Sequence, residues 1–260
     1  MGLLDIIFKK ILGGFGSVGR ASMLLFSAYR EIFRLPLEVS ETFKQFYEVG
    51  LKSIIVVLIT GLVAGFVGAV QAYYQLKAIS AQGMMGGFVA VLVLKELSPL
   101  LTAFVMTARV GTGFAAELGT MKVTEQIDAL RAMATSPIKY LVVPRLVACI
   151  IMIPILIVFA NITGIFGGLL ISLSFGIKSG IFFQQFEKYF FIGDIVGGII
   201  KGAVFGTIIS MVGCYRGLNT QGGAEGVGQA TSISAVHSFV LIIFADFVLN
   251  YFINLILNVA

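Results

Sequence analysis

The chain has 260 residues, of which 58% are hydrophobic and 12% are charged, and its mean hydropathy is +1.01. Soluble domains carry about twice that share of charged residues, so the composition excludes an ordinary soluble protein and indicates an integral membrane protein. The formal net charge of +5 is modest and the basic residues are not clustered, which argues against a nucleic-acid-binding surface.

The first 30 residues are predicted to form an amphipathic helix that lies in the membrane interface. Charged residues interrupt the apolar positions and no cleavage site follows, so this segment does not have the pattern of a signal peptide. The apolar positions recur at helical spacing, which is typical of an interfacial helix. They are Leu4, Ile7, Ile11, Phe15 and Val18.

Five later segments are apolar and long enough to cross a hydrocarbon core of about 30 Å as helices. The fold class is therefore an all-α integral membrane protein with about five transmembrane helices. In the first of them, Gly61, Gly65 and Gly68 share one face, which predicts close approach of another helix. The third contains Pro154 and the glycines at 164, 167 and 168, and we expect it to be broken there.

We divide this single domain into seven regions. They are the interfacial helix (1–30), a polar elbow containing Pro36 (31–52), spans one and two (53–116), a polar region (117–145), spans three and four (146–215), a Gly-rich polar loop (216–232) and span five (233–260). Within these regions the apolar segments cover about 53–76, 84–108, 146–175, 192–215 and 235–257, and a short polar-aromatic connection covers 176–191.

Lys and Arg near the span ends predict the orientation. Most of them lie on the side that holds the N-terminus, the 117–145 region and the 216–232 loop, whereas the other side has only Lys77, Lys178 and Lys188. We therefore expect the N-terminus and both of those regions to face the cytoplasm.

The 117–145 region is predicted to contain a short amphipathic helix at the membrane surface. Thr124 can cap this helix, and Glu125 and Gln126 suit its first turn. Pro137 is expected to end it, and Pro144 suits the first turn of the next helix.

Two sets of side chains are expected on opposite sides of this helix. Asp128 and Arg131 can form an ion pair at i, i+3 on its polar side. The predicted apolar stripe comprises Ile127, Leu130, Met133 and Ala134. From the residues alone, the region is either a solvated connection or a docking surface for a cytoplasmic partner.

Four ionisable residues lie inside apolar spans: Lys95, Glu96, Lys201 and Asp246. A charge at mid-bilayer costs about 2.5–3.5 kcal/mol on insertion scales, so each is expected to face protein or a wet cavity. One interpretation is structural ion pairing between helices. The other, which we favour, is a polar patch in a translocation pathway.

The first span ends in a polar and aromatic stretch that contains Gln71, Tyr73, Gln75, Leu76 and Ile79. Such a stretch is typical of an interfacial aromatic belt. It also suits the wall of an amphipathic cavity, and the residues do not decide between these two interpretations.

Several kinds of chemistry are not indicated. The segment over residues 222–231 has glycines at phosphate-loop spacing, but Gln229 stands where the Lys is required and no strand precedes it. Cys149 and Cys214 are expected to be buried structural thiols, and His237 is expected to be a packing or interface residue. No metal-ligand cluster or catalytic constellation is evident, so we expect no catalytic residues and no bound cofactor.

Five motifs stand out: KELSP at Lys95–Pro99, ARVGTGFAAELGTM at Ala108–Met121, TEQIDAL at Thr124–Leu130, VPR at Val143–Arg145 and GAEGVGQAT at Gly223–Thr231. Together with Met133 and Pro137, they resemble the MlaE (YrbE) permease family over nearly the whole chain from about Gly50 onward. Lys95 stands where other members often have Arg, which keeps the charge but loses bidentate geometry.

This resemblance implies the membrane subunit of an ABC transporter in the cell inner membrane. It implies a homodimer, two cytoplasmic ATPase subunits that bind ATP and Mg, a periplasmic or membrane-anchored Mce protein, and a possible small cytoplasmic regulatory subunit. Family members carry phospholipids between the inner membrane and the Mce assembly, which helps to maintain outer-membrane lipid asymmetry.

The resemblance also implies roles for two sets of residues. The coupling helix that contacts the ATPase would involve Glu117, Thr124, Glu125, Gln126, Asp128, Leu130, Arg131, Met133 and Pro137. The lipid cavity would involve Gln71, Tyr73, Gln75, Leu76, Ile79, Lys95, Glu96, Lys201 and Asp246. Two alternatives stay open: a secondary transporter or channel that uses the intramembrane charges, and a non-transporting membrane anchor for an Mce protein.

Overall fold

The computed structural model describes residue 19, residues 22–32 and residues 38–257, and every regular element within these ranges is helical. This confirms the predicted all-α class. The predicted stripe from Leu4 to Val18 lies outside the described residues, as does Pro36. The later part of the predicted elbow is helical, since Val39–Val49 forms a helix of its own.

The described residues form a series of helices joined by short turns. In chain order they are α1 (residues 22–32), α2 (Val39–Val49), α3 (Ile54–Ala78), α4 (Met85–Leu92), α5 (Ser98–Met106), α6 (Thr112–Val123), α7 (Gln126–Ala132), α8 (Val143–Ser174), α9 (Ser179–Tyr189), α10 (Ile192–Leu218) and α11 (Gly223–Leu257). Short 3₁₀ turns cover Leu51–Ser53 and Gln82–Met84, and π-helical turns cover Val93–Leu97, Thr107–Gly111 and Ile138–Val142.

Within the described residues, five helical segments are long and apolar enough to span a membrane, which confirms the predicted number. They are Val39–Ala78, Gln82–Val123, Ile138–Ser174, Ile192–Leu218 and Gly223–Ile253. Residues 124–137 and 219–222 therefore lie on one side of the membrane, here named the loop side. Residues 79–81 and 175–191 lie on the opposite side.

Helix α8 forms the centre of the bundle, with α3 packed on one side and α10 on the other. Glycines allow these contacts, because a Cβ on Gly65 would lie 1.9 Å from the Gly164 carbonyl oxygen. Likewise, a Cβ on Gly206 of α10 would lie 2.5 Å from the Cys149 carbonyl oxygen. The predicted close approach at the first span is confirmed, and α8 is the helix that makes it.

The expected break in the third span is wrong, since α8 runs without interruption from Val143 to Ser174. Pro154 lies inside this helix and is buried. Helix α10 packs directly over it, because a Cβ on Gly202 would lie 2.9 Å from the Pro154 Cα. Proline is tolerated in membrane helices where neighbouring helices pack around the weakened turn. The glycines of α8 mark helix contacts rather than a break.

The predicted Gly-rich loop over 216–232 is also mostly wrong. Helix α10 continues to Leu218 and α11 begins at Gly223, so only residues 219–222 connect them. Gly222 and Gly223 have φ of +90° and +67°, a conformation that glycine adopts without strain. The glycines therefore form a tight reversal between two helices.

Two more boundaries differ from the prediction. The second span continues as a helical series to Val123, so residues 117–123 of the predicted polar region are helical. The polar-aromatic connection over 176–191 contains α9, which packs on α4. The connection on the loop side is thus reduced to residues 124–137, and α7 lies within it.

Candidate functional site

A network of charged side chains joins the second, fourth and fifth spans. The Lys201 ammonium lies 2.9 Å from Asp246 Oδ1 and 3.5 Å from Glu96 Oε2. It also donates a hydrogen bond of 2.6 Å to the Lys95 carbonyl oxygen. Only 3% of the Lys201 side chain is exposed, so these three oxygens replace water around its charge.

Asn250 of α11 extends this network. Its side-chain amide donates to Glu96 Oε2 at 3.0 Å and to Asp246 Oδ2 at 3.2 Å. Asp246 and Asn250 are four residues apart and therefore lie on one face of α11. Both carboxylates of the network thus have a neutral donor as well as the Lys201 charge.

Lys95 belongs to a neighbouring ion pair. Its ammonium lies 3.2 Å from Asp194 Oδ1, and Asp194 stands in the first turn of α10, where the helix dipole favours a carboxylate. The adjacent residues Lys95 and Glu96 therefore pair with different partners, as their angular separation allows.

The π-helical turn over Val93–Leu97 positions this pair. The Ser98 N–H donates to the Val93 carbonyl, five residues back, so the turn is wider than an α-helical one. The Lys95 carbonyl in this turn accepts the bond from Lys201, while the Lys95 and Glu96 side chains reach an adjoining cavity.

This cavity has a volume of about 290 Å³ and apolar walls. Its apolar lining includes Leu76, Phe88, Val91 and Leu92, and Tyr189 of α9 closes one side. Its charged lining is Lys95 and Glu96, whose side chains are 28% and 40% exposed. We name it the charged cavity. Opposite charges in an apolar space suit an amphipathic ligand that carries charge at one end.

The structure divides the predicted cavity residues into three groups. Leu76, Lys95 and Glu96 line the charged cavity. Lys201 and Asp246 do not line it, and Lys201 joins Asp246 to Glu96. The others lie elsewhere on α3 or just after it: Gln71, Gln75 and Ile79 are exposed on its outer surface, and Tyr73 stacks on Phe175 at 3.9 Å.

Sequence reasoning missed Asp194, Asn250 and Tyr189. Asp194 is ionisable and falls within the predicted fourth span, so the criterion that selected the other four charges also applies to it. Asn250 could have been found from its i, i+4 relation to Asp246. Nothing in the local sequence indicates that Tyr189 reaches the cavity.

Helix α7 is a short, anchored element on the loop side. Ile127 is fully buried, and Leu130 packs partly buried against the same core, as predicted. Asp128 accepts hydrogen bonds from Lys122 at 2.9 Å and from Arg131 at 3.0 Å, which confirms the predicted Asp128–Arg131 pair. The outward surface of α7 and its flanks carries Thr124, Glu125, Gln126, Arg131 and Met133, all exposed.

The predicted start of this helix is wrong. Thr124 ends α6 and donates its hydroxyl back to the Thr120 carbonyl, so it does not cap α7. It instead accepts a hydrogen bond of 3.0 Å from the Gln126 side chain. Glu125, with φ of +61°, precedes α7 and forms the corner between the two helices.

The predicted end of the helix is wrong as well. Helix α7 stops at Ala132, and Ala134 adopts a left-handed φ of +57°. The Ala134 and Thr135 N–H groups donate to the Arg131 and Leu130 carbonyls, which is a Schellman cap. Met133 is therefore 68% exposed and does not extend the apolar stripe, nor does Ala134. Pro137 begins the next helix.

Glu117 joins this region to α8. Its carboxylate lies 2.8 Å from the Arg145 guanidinium, and Arg145 also donates to the Leu141 carbonyl and covers the Phe114 ring. The ion pair therefore joins the middle of α6 to the start of α8.

The remaining candidate residues have structural contacts. Cys149 and Cys214 are free and buried, as predicted. His237 lies within α11, and its Nδ1 is 2.7 Å from Arg216 Nη2. Asp128 lies outside the spans, and the hydrogen bond from Lys122, together with the charges of Lys122 and Arg131, lowers the pKa of its carboxyl.

Comparison with known proteins gives matches along nearly the whole chain. The family model for permease MlaE matches residues 42–252. A probable ABC transporter permease protein of Rickettsia typhi is 35% identical over 251 residues, which cover 96% of this chain and 97% of the relative. A probable ABC transporter permease protein of Synechocystis is 37% identical over 249 residues, with coverage of 95% and 92%. The intermembrane phospholipid transport system permease protein MlaE of Haemophilus influenzae is 31% identical over 249 residues, 95% of each chain.

Proposed function

The chain belongs to the MlaE family of ABC transporter permeases, and from this premise we propose that it moves phospholipids between the inner membrane and a periplasmic Mce protein. Such transport would contribute to outer-membrane lipid asymmetry. The chain is a multi-pass membrane protein, and we propose that its N-terminus and α7 face the cytoplasm, as the distribution of Lys and Arg favours.

The charged cavity is the observation that carries this proposal. Its walls are apolar and suit acyl chains, while Lys95 and Glu96 offer one positive and one negative group at its border. In the network around it, the carboxylates of Glu96, Asp194 and Asp246 outnumber the two ammonium groups by one. Glu96 is the most exposed of the three, so the excess negative charge faces the cavity.

This arrangement favours a zwitterionic head group. The phosphate of a phospholipid would approach Lys95, and the amine of the same head group would approach Glu96. Both contacts are between charged groups and strengthen where water is excluded. The ion pairs with Asp194 and Lys201 hold the two side chains at the border of the cavity in the absence of lipid.

The size of the cavity supports a homodimer. A volume of about 290 Å³ is at the lower limit for small-ligand pockets, and a phospholipid with two acyl chains exceeds it. Gln71 and Gln75 are polar and exposed on α3, a surface that would contact lipid tails in an isolated chain. Polar groups are costly in that environment, so a second copy or a shared cavity is favoured there.

The energy would come from two partner ATPases that bind ATP and Mg, with no cofactor in this chain. Residues 124–137 would contact these subunits, since they present exposed polar side chains and the exposed Met133 on a firmly anchored helix. ATP binding would move α7, the Glu117–Arg145 pair would pass the displacement to α6 and α8, and the shared cavity would narrow. A small cytoplasmic regulatory subunit also fits this scheme.

Purification from native membranes tests the assembly. The full chain would be isolated in mild detergent, and the co-purifying proteins and lipids identified by mass spectrometry. We expect an ABC ATPase and an Mce protein in fixed ratio, with bound phospholipid. An isolated chain would contradict the proposal and favour a secondary transporter that uses the intramembrane charges.

Neutralisation of Glu96 tests the cavity. Glu96→Gln keeps the size of the side chain and an acceptor for Asn250. Lys201 also keeps its ion pair with Asp246, so the fold should persist. We expect lipid transport to fall about tenfold, as for loss of one charged contact. Glu187→Gln, on the exposed surface of α9, is the matched control. Normal transport by Glu96→Gln would contradict a role of Glu96 in holding the lipid head group.

A further inference from the structure

A separate cavity of about 320 Å³ lies on the loop side, between α2 and the second π-helical turn. Its lining includes Lys44 and Glu48 of α2, Arg109 of the π-helical turn, and Glu117 of α6. We name it the elbow cavity. It shares no lining residue with the charged cavity and lies near the opposite end of the second span.

The elbow cavity contains positive charge that the protein does not neutralise. Among the described residues, no carboxylate lies within 4 Å of the Arg109 guanidinium, which donates to the Ser53 hydroxyl. Both lining carboxylates have cations of their own: Glu48 is 2.6 Å from Lys52, and Glu117 is 2.8 Å from Arg145. Lys44 is itself 3.7 Å from Glu41, so Arg109 is the lining cation that is available to an anion.

The position of the cavity relative to the hydrocarbon core follows from its contact with the first span. Ser53 directly precedes α3, an apolar helix of 25 residues and about 37 Å, which is enough to cross the hydrocarbon core. Ser53 thus marks the loop-side edge of that core, and Arg109 lies at the same level because it contacts Ser53.

Helix α2 supports this placement. Val39, Phe43 and Tyr47 recur on one face of α2 and are all exposed, while its charged residues lie on other faces. An amphipathic helix with an exposed apolar face is typical of the membrane interface. The elbow cavity therefore opens among the lipid head groups of the loop-side leaflet.

We propose that the elbow cavity binds the phosphate of a phospholipid head group from this leaflet. The Arg109 guanidinium would donate to the phosphate as a planar fork, and Lys44 would add a second positive charge. Arg109 belongs to the π-helical turn at Thr107–Gly111, which is wider than an α-helical one. The acyl chains would lie along the exposed apolar residues of α2 and α3. The proposal does not depend on transport through the charged cavity.

Lipid retention by the full-length chain tests this site. The chain would be purified in neutral detergent and titrated with phosphatidylglycerol, phosphatidylcholine or inorganic phosphate, and native mass spectrometry would count the molecules retained. The variants are Arg109→Gln, which removes the charge, and Arg109→Lys, which keeps it. Lys139→Gln is the matched control, because Lys139 is also on the loop side but does not line the elbow cavity.

We expect Arg109→Gln to bind phosphatidylglycerol at least about tenfold more weakly than the wild type, Arg109→Lys to fall between them, and Lys139→Gln to bind normally. The same difference should persist in a Glu96→Gln background, which separates this lipid from one in the charged cavity. Equal retention by Arg109→Gln and the wild type would overturn the proposal. Displacement of the Arg109-dependent lipid by an equal concentration of inorganic phosphate would also overturn it, since the site would then take the free anion.

Discussion

The Lys201 ammonium lies 2.9 Å from the Asp246 carboxylate and connects the fourth span to the fifth within the bundle. Its other two contacts, with Glu96 and the Lys95 carbonyl, connect both of these spans to the second. One hydrogen bond and two ion-pair contacts thus surround one buried charge. The residue that organises the network does not itself line the charged cavity.

Replacing Lys201 by Met should destabilise the chain, because Asp246 and Glu96 would lose their positive partner. Breaking a buried ion pair on one side costs about 3–5 kcal/mol. The measurement is the unfolding transition of the purified chain in a single detergent. Lys178→Met, at an exposed position before α9, serves as the control.

The double variant Lys201→Met with Asp246→Asn distinguishes the loss of a specific ion pair from a general destabilisation of the fold. Removal of both charges should recover part of the loss, and a double-mutant cycle would give the coupling between them. Additive effects of the two single changes, or a Lys201→Met chain as stable as the Lys178→Met chain, would contradict this account.

The sequence identified four of the network residues because a charge within an apolar run is costly and therefore conspicuous. Asp194 was less conspicuous, since a carboxylate in the first turn of a helix is favoured by the dipole alone. The division between cavity residues and supporting residues could not be predicted. It depends on the π-helical turn at Val93–Leu97, and a single i→i+5 turn leaves no mark in hydropathy or spacing.

A rule that holds best in water predicts that glycines interrupt helices, both in the third span and after Arg216. In a membrane bundle the same residues allow backbones to approach, and Gly164 and Gly167 of α8 do so at α3. The rule was right only at Gly222 and Gly223, where the backbone needs positive φ.

Met133 is the residue at which we expect the clearest effect on ATPase binding. It is 68% exposed just after α7, so Met133→Ser removes apolar contact area without affecting the core. A central apolar contact at an interface is worth about 1–2 kcal/mol, and we expect about tenfold less ATPase to co-purify.

Ala129→Ser is the control for this change, since Ala129 is exposed on α7 itself and the substitution is small. Both variants should unfold at the wild-type temperature. Undiminished ATPase recovery with Met133→Ser would indicate that the contact surface does not include the end of α7.

Asp128 should make the stability of α7 depend on pH only under acidic conditions. Its pKa is lowered from 3.8 by the hydrogen bond from Lys122 and by the charges of Lys122 and Arg131. A lowered carboxyl pKa gives stability that is present above the ordinary value and is lost as the pH falls through the lowered one. Amide protection over 126–132 should therefore be the same at about pH 7 and about pH 5.

Asp128→Asn removes the charge at every pH and therefore shows directly how much the ion pairs of Asp128 stabilise α7. We expect faster hydrogen exchange over 126–132 than in the wild type at the same pH, with unchanged exchange in α8. Equal exchange in the two chains would show that Ile127 and Leu130 hold α7 without the ion pairs.

Gly65 should be the least tolerant glycine of the contact between α3 and α8. Because a Cβ there would lie 1.9 Å from a backbone oxygen, no side-chain rotation can relieve the overlap, and one helix must move. Overpacking of this kind costs about 1–3 kcal/mol, and we expect Gly65→Ala to lower the unfolding temperature measurably. Gly83→Ala is the matched control, since a Cβ at Gly83 meets nothing within 4 Å. Equal unfolding temperatures for the two variants would mean that α3 and α8 separate easily, and the Gly65–Gly164 contact would then not be what holds α3 against the central helix.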